Sequence, residues 1–309
     1  MTTGSENELF LYSGGKFERY WARIWSGTRT SLLLALIVSV SDCVLGITVG
    51  VLWGYVRKLN NILTEVYNIL DNIPRTIILI LISYLLRPGM TTKDIDRIGE
   101  KTIRKLGGVP NFLHYNGYPA SVCVSVNEEV VHGIPTDKRF IEEGDLVSLD
   151  TGLIYKGYHS DAARSYVVGQ GDPEKVKLVE ATKEAFFRGI AAATDGGHLH
   201  DIGIAIADYI EPLGYGIVED LVGHGIGRHL HEDPEVPNFR QRSRGIRLRK
   251  GMTLAVEPMI NLGNWQVDFM DDDWTVVTRD RKPSAHYENT ILITDGAPEI
   301  LSLPGGLRS

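Results

Sequence analysis

The spacing of apolar residues changes sharply along this chain. From Ser31 to Val56 it reads SLLLALIVSVSDCVLGITVGVLWGYV, 26 residues with one charge, Asp42, bounded by Arg29 and by Arg57-Lys58. A second apolar run, Thr76 to Leu86, has 11 residues and is too short to span a bilayer alone. After Arg87-Pro88-Gly89 the pattern turns helical, with Ile95, Ile98, Ile103 and Leu106 on one face, Thr92 as N-cap and Gly107-Gly108 as the stop. Alternating β-branched runs follow at SVCVSV, DLVSLDTGLIY, SYVVG, TLAVEPMI and NTILIT. Two further helical stretches fall at about Glu174–Thr194 and His200–Leu213. Helices mixed with antiparallel hairpins and Gly/Pro-rich loops predict an α+β domain over residues 87–303, with a short tail over 304–309.

The run over 31–56 is long enough for a membrane span, since a bilayer core needs about 20 mostly apolar residues. Asp42 near its middle costs roughly 2.5–3.5 kcal/mol, which the Leu, Ile and Val around it offset. A buried helix of a soluble fold is the other reading. The run starts too late and is too long for a cleaved signal peptide. From Tyr20 to Asn72, WARIWSGTRTSLLLALIVSV, LGITVGVLWGY and EVYNILDNIP resemble a fragment of the permease subunits of oligopeptide and dipeptide ABC transporters. Such permeases have further spans and a coupling loop that this sequence lacks, so no transport is expected. Residues 1–86 are therefore read as a permease-like membrane segment.

Composition sharpens the division. The net charge of −7 hides eight Lys/Arg against six Asp/Glu in residues 1–87, leaving 24 against 33 in the remainder. An acidic body argues against nucleic acid as a partner. Two cysteines, Cys43 and Cys123, cannot frame a disulfide scaffold and fit a reducing compartment. All nine histidines lie at or after His114, so imidazole chemistry belongs to the later part.

That later part carries five metal-type side chains: Asp150, Asp161, His224, Glu257 and Glu288. A reversal near Tyr155-Lys156-Gly157 would place Asp150 opposite Asp161 in a hairpin, where two like charges repel unless a cation lies between them. His224 sits in Gly-His-Gly-Ile-Gly-Arg-His-Leu-His231, a glycine-rich stretch in which backbone can approach a ligand closely. It lacks the Lys-Ser/Thr of a phosphate loop, and position 235 is Glu, so His231-Glu232 does not open a zincin motif. Glu257 and Glu288 lie in apolar β-type runs, where an unpaired carboxylate is costly. Four carboxylates and one imidazole suit two hard or borderline divalent ions clamping one hydroxide.

In combination, NGYPASVCVSVNEEVVHGIP, SLDTG, YHSDAARSYVVG, GHGIGRHLHEDPEVPN, LAVEPMIN and AHYENTILIT resemble the type I methionine aminopeptidases of the pita-bread metallopeptidase family. The resemblance covers Arg87 to about Leu303, and the absence of a long insertion between His231 and Glu257 favours type I over type II. It implies that Asp161 and Glu288 bridge two ions (Co, Mn, Fe or Zn), that Asp150 chelates one, and that His224 with Glu257 completes the other. It further implies that Glu257 takes the proton of the attacking water, while His132 and His231 hydrogen-bond the scissile amide and its oxyanion. Tyr115, Tyr118, Cys123, Leu230 and Trp274, with His132 and His231, would form the methionine pocket. For Tyr115 alone, ordinary core is the other reading.

The implied activity is release of N-terminal methionine from nascent chains and peptides with a small second residue. The catalytic domain would be cytoplasmic and monomeric, with membrane association through residues 31–56 if that run inserts. A proline-directed aminopeptidase or prolidase of the same fold is an alternative, against which Cys123 and Trp274 argue. A non-catalytic membrane transport remnant is another. Family members begin with a helix packed on the catalytic sheet, where this chain has the permease-like segment. Burial of such a helix is worth several kcal/mol at about 25 cal/mol per Å², so the domain's stability is in question.

Overall fold

The computed structural model describes residues 86–303 and, upstream, only isolated helical positions between 28 and 44. The chain divides into two compact units, Met1–Tyr67 and Asn68–Ser309. In the first, Leu36, Val38, Val40 and Val44 are helical and exposed. The rest of the span expected over 31–56 lies outside the described residues, as do most of the permease-like segment 1–86 and the tail 304–309. No helix among the described residues is long and apolar enough to cross a membrane.

In the second unit the helical pattern after the Arg-Pro-Gly turn becomes α1 (Thr92–Lys105). Its N-cap is Thr91, one residue before the expected Thr92. The Thr91 hydroxyl accepts from the Asp94 amide at 3.1 Å, and the Asp94 carboxylate accepts from the Thr91 amide at 3.0 Å. This reciprocal pair satisfies two otherwise unmatched donors. Ile95 and Ile103 are fully buried in a cluster with Val124, Val147 and Leu149. On the same helix Asp96 accepts from the amides of Ser121 and Val122, at 2.8 and 3.1 Å, which ties α1 to the strand that follows.

The strands are β1 (Val109–Pro110), β2 (Cys123–Val126), β3 (Glu129–Val131), β4 (Leu146–Tyr155), β5 (Tyr158–Val167), β6 (Gly216–Ile217), β7 (Gly223–Gly225), β8 (Glu232–Val236), β9 (Thr253–Val256), β10 (Met259–Asn261), β11 (Val267–Phe269), β12 (Val276–Thr278), β13 (Ser284–His286), β14 (Asn289–Leu292) and β15 (Glu299–Ile300). All their pairings are antiparallel. β4 carries β1 and β2 along one edge and β5 along the other. A second sheet runs β15-β14-β9-β7-β8, and two three-stranded sheets run β13-β10-β6 and β11-β12-β3.

The longest hairpin, β4–β5, closes on Lys156-Gly157, at φ 50° and 80°. A two-residue turn with both central residues at positive φ matches the twist of the strands it joins. It pairs Tyr155 with Tyr158, so Asp150 faces Ala163 and Gly152 faces Asp161. The two aspartates are therefore not directly opposite, as the sequence led one to expect. They are diagonal neighbours on one face, because the turn lies further along than the expected pairing required.

The expected later helices are α2 (Pro173–Ala191) and α3 (Asp201–Ile210), the second continued by a 3₁₀ turn over Glu211–Leu213. They pack closely at Gly189, where an added Cβ would lie 2.8 Å from Ile206 Cγ1. Phe186, Ile190, Ile202 and Ile206 join Leu254 and Ile291 in the largest apolar cluster. α2 packs mainly on β13, β5 and β10 and touches β9, and α3 packs on α2 and on β6, so α2 backs strands that border Glu257 and Glu288.

Candidate metal centre

Asp150 lies on β4, Asp161 on β5 and His224 on β7. Glu257 occupies the link between β9 and β10, and Glu288 the link between β13 and β14. Strand contacts bring them together. The Ala163 amide donates to the Glu288 carbonyl at 3.3 Å and the Glu288 amide to the Ala163 carbonyl at 3.0 Å. The Asp161 amide donates to the Thr290 hydroxyl at 2.9 Å, and that hydroxyl donates to the Asp161 carbonyl at 3.1 Å. Arg164 locks the same junction. Its guanidinium donates to the carbonyls of Ala163 and Glu288, both at 2.6 Å, and to Asn289 Oδ1 at 2.7 Å, and it stacks 3.9 Å from the Tyr287 ring.

The glycines around His224 serve the sheet rather than a ligand. A Cβ at Gly223 would lie 2.3 Å from the Ala255 carbonyl oxygen, and one at Gly225 the same distance from that of Asp233. Close approach was expected of a bound molecule, but it is the neighbouring strands that need the space. His224 donates from Nδ1 to the Gly225 carbonyl at 2.8 Å, which leaves Nε2 for the centre.

His224 Nε2 lies 3.8 Å from Glu257 Oε1, and the other oxygen of that carboxylate lies 3.7 Å from His286 Nε2. These separations exceed a hydrogen bond but are near those of two donors sharing one ion, about 3–3.5 Å. Ligand atoms of Asp161, His224 and Glu288 lie within 4.8 Å of one another, as do those of Glu257, His286 and Glu288. Asp150 Oδ1, Glu288 Oε1 and His286 Nε2 are buried with no hydrogen-bond partner. Buried polar atoms are rarely left so, and a cation among them resolves the orphans.

The electrostatics agree. Burial raises the Asp161 carboxyl to about 7. Burial, aided by the charges of Asp161 and Glu257, holds Asp150 and Glu288 well above the usual carboxylate range, and burial with the Asp161 charge does so for Glu257. Burial lowers His224 to about 4, so its imidazole is neutral and free to ligate near pH 7. All-oxygen carboxylates with a neutral imidazole fit divalent Mn, Fe, Co or Zn.

The remaining expected residues line the same cavity, of about 210 Å³: Tyr115, Tyr118, Cys123, His132, Leu230, His231 and Trp274. Tyr118, Cys123 and Leu230 are buried together with Phe112, and Tyr115 and Trp274 pack against them. Trp274 meets the Tyr118 ring edge-on at 5.1 Å and the His132 ring at 6.3 Å. Cys123 pairs with Asp150 across β2–β4, so the apolar slot begins one strand from a candidate ligand. Burial pushes the Cys123 thiol up, which keeps it a neutral, soft wall. Three residues escaped the sequence reading: Phe112 and Asn116 in the lining, and His286 beneath Glu257. His286 stands two positions before Glu288, the one sequence signal that could have found it.

Residues 74–295 match the model of metallopeptidase family M24, whose start lies upstream of the Arg87 boundary. The methionine aminopeptidase of Clostridium acetobutylicum is 47% identical over 249 residues, 81% of this chain and 95% of that one. The crystal structure of methionine aminopeptidase from Thermotoga maritima has TM-score 0.73 and 41% identity, covering 75% of this chain and 94% of that one. The prolidase of Pyrococcus horikoshii, with TM-score 0.59 and 23% identity over 78% of this chain and 62% of that one, shares the fold alone.

Proposed function

The chain belongs to metallopeptidase family M24, with its pita-bread fold, and on that premise we propose that residues 87–303 form a metal-dependent methionine aminopeptidase. Its substrates would be polypeptides and peptides with N-terminal methionine and a small second residue. One observation carries the reading: four buried ligand-type side chains, the half-buried Glu257 and a soft apolar slot open into a single cavity. The likeness to methionine aminopeptidases points to the same substrate.

Asp150, Asp161, His224, Glu257 and Glu288 would together hold two divalent ions. Such a pair lowers the pKa of water toward 7 and polarises a carbonyl. The slot of Tyr118, Cys123, Leu230 and Trp274 would take the thioether, excluding water from the reacting bond. The Glu257 carboxylate would accept a proton from the attacking water and return it to the leaving amine. His132 and His231 would hydrogen-bond the scissile amide and the carbonyl oxygen, where charge develops. Burial lowers His132 to about 4, so it acts as a neutral donor.

Hydrolysis of Met-Ala-Ser against Gly-Pro peptides, with Mn, Co, Fe or Zn supplied, tests the reading. Release of methionine from the first and no cleavage of the second is the expected result. Preferential cleavage of Gly-Pro would replace it with a proline-directed activity of the same fold.

A further inference from the structure

We infer that the Tyr115 hydroxyl holds His231 in the tautomer that carries its proton on Nε2, which makes Tyr115 a positioning residue of the reaction. The inference rests on the role given to His231 above and deepens it.

The contact is direct: Tyr115 Oη lies 2.7 Å from His231 Nδ1, with the two rings 5.4 Å apart and inclined at 44°. Either atom can in principle donate. Acid strength favours one direction, since a phenol gives up its proton far more readily than a neutral imidazole N–H and the bare imidazole nitrogen is the better acceptor. A phenol donating to Nδ1 leaves that nitrogen unprotonated, and a neutral ring must then carry its proton on Nε2. With Nδ1 taken, Nε2 alone is left for the cavity that His231 lines. In the other tautomer Nε2 bears a lone pair and offers nothing to a carbonyl oxygen.

The neighbouring His224, 4.2 Å away between ring centroids, is held in the opposite sense, its Nδ1–H donating to the Gly225 carbonyl so that Nε2 keeps its lone pair. The loop that presents Tyr115 is built for position. His114 and Asn116 on either side adopt left-handed φ of 69° and 49°. The Tyr115 amide donates to the Phe112 carbonyl at 2.9 Å, and the His114 amide to the Tyr118 carbonyl at 2.8 Å. A tight turn closed by its own backbone bonds, in two uncommon conformations, fixes where the hydroxyl stands.

Tyr115→Phe separates this role from that of a pocket wall, because it keeps the ring and removes only the hydroxyl. In the zinc-loaded full-length protein labelled with ¹⁵N-histidine, His231 is assigned by the signal that His231→Gln removes. We expect the Nε2–H tautomer in the parent and a mixture of tautomers in Tyr115→Phe. On Met-Ala-Ser, kcat should fall about tenfold with KM within about twofold, less than the 10²–10³ that deleting an oxyanion donor costs. An Nδ1–H tautomer in the parent, or unchanged tautomer and kcat in Tyr115→Phe, overturns the inference while leaving the aminopeptidase reading intact. Failure of the parent to release methionine overturns that reading instead, and the nitrogen spectra still decide the tautomer.

Discussion

At Asp161, residue chemistry sets stability against function. Its carboxyl is buried, and burial raises it to about 7 from an ordinary value near 4. A carboxyl raised in the folded state favours folding below its unfolded pKa and loses that advantage as pH climbs through the folded one. At pH 8 the ionised Asp161 therefore costs the ion-free protein stability, by about 2–4 kcal/mol. Asp161→Asn removes the charge at nearly constant volume. The expected outcome is a higher urea midpoint for the chelator-treated variant at pH 8, with no divalent ion retained in elemental analysis and no methionine released. A variant that loses stability in that experiment, or keeps two ions per chain, contradicts the assignment. Arg164 is the opposite case, a half-buried cation whose donors hold the Glu288 link to β5. Nothing in the sequence marked it, because its role is written in backbone carbonyls rather than in a partner acid.

At the scale of elements, the β4–β5 hairpin sets which carboxylates share a face. The sequence showed that Asp150 and Asp161 belong to one hairpin, but not their register, which depends on Lys156 and Gly157 both taking positive φ. That choice is made by strand twist and is invisible to alternation, so the expected pairing was shifted while the shared face survived. The cap of α1 was misplaced by one residue for a similar reason. Thr91 and Thr92 are chemically alike, and only Thr91 has Asp94 three positions on, where a capping box needs its acid. Gly157 supplies a direct check. Its Cβ site is open, so an added Cβ meets no atom and the cost falls on holding a side chain at φ 80°. Gly157→Val should cost about 1–2 kcal/mol in denaturant unfolding. Lys156→Asn, placing Asn-Gly in the turn, should be neutral or stabilising by a few tenths. Loss of two-ion uptake in either folded variant would mean that the turn does more than set register.

For the molecule as a whole, the centre gathers side chains from separate segments of one acidic body, and the energy that unites them must come partly from the ions. The sequence disclosed the residues because their types and motif contexts are distinctive, yet the apolar patterns that fold them together are ordinary. Linkage then follows from the sign of the shifts. Asp150, Asp161, Glu257 and Glu288 all titrate above the ordinary carboxylate range, so below about pH 7 the ion-free protein holds protons on some of them. Divalent ions take only the ionised form, so binding must expel those protons. His224, lowered to about 4, has none to give at that pH. Affinity should therefore rise with pH from 5.5 to 7.5, and calorimetric titration of Mn or Zn at pH 6.5, repeated in buffers of different ionisation enthalpy, should report more than one proton released per chain. Saturation at about 100 times the dissociation constant should add about 2.7 kcal/mol to stability, visible as a raised melting temperature that chelation reverses. Binding that releases no protons and leaves melting unchanged would show that the buried carboxylates are not the ligands, whatever peptide the protein cleaves.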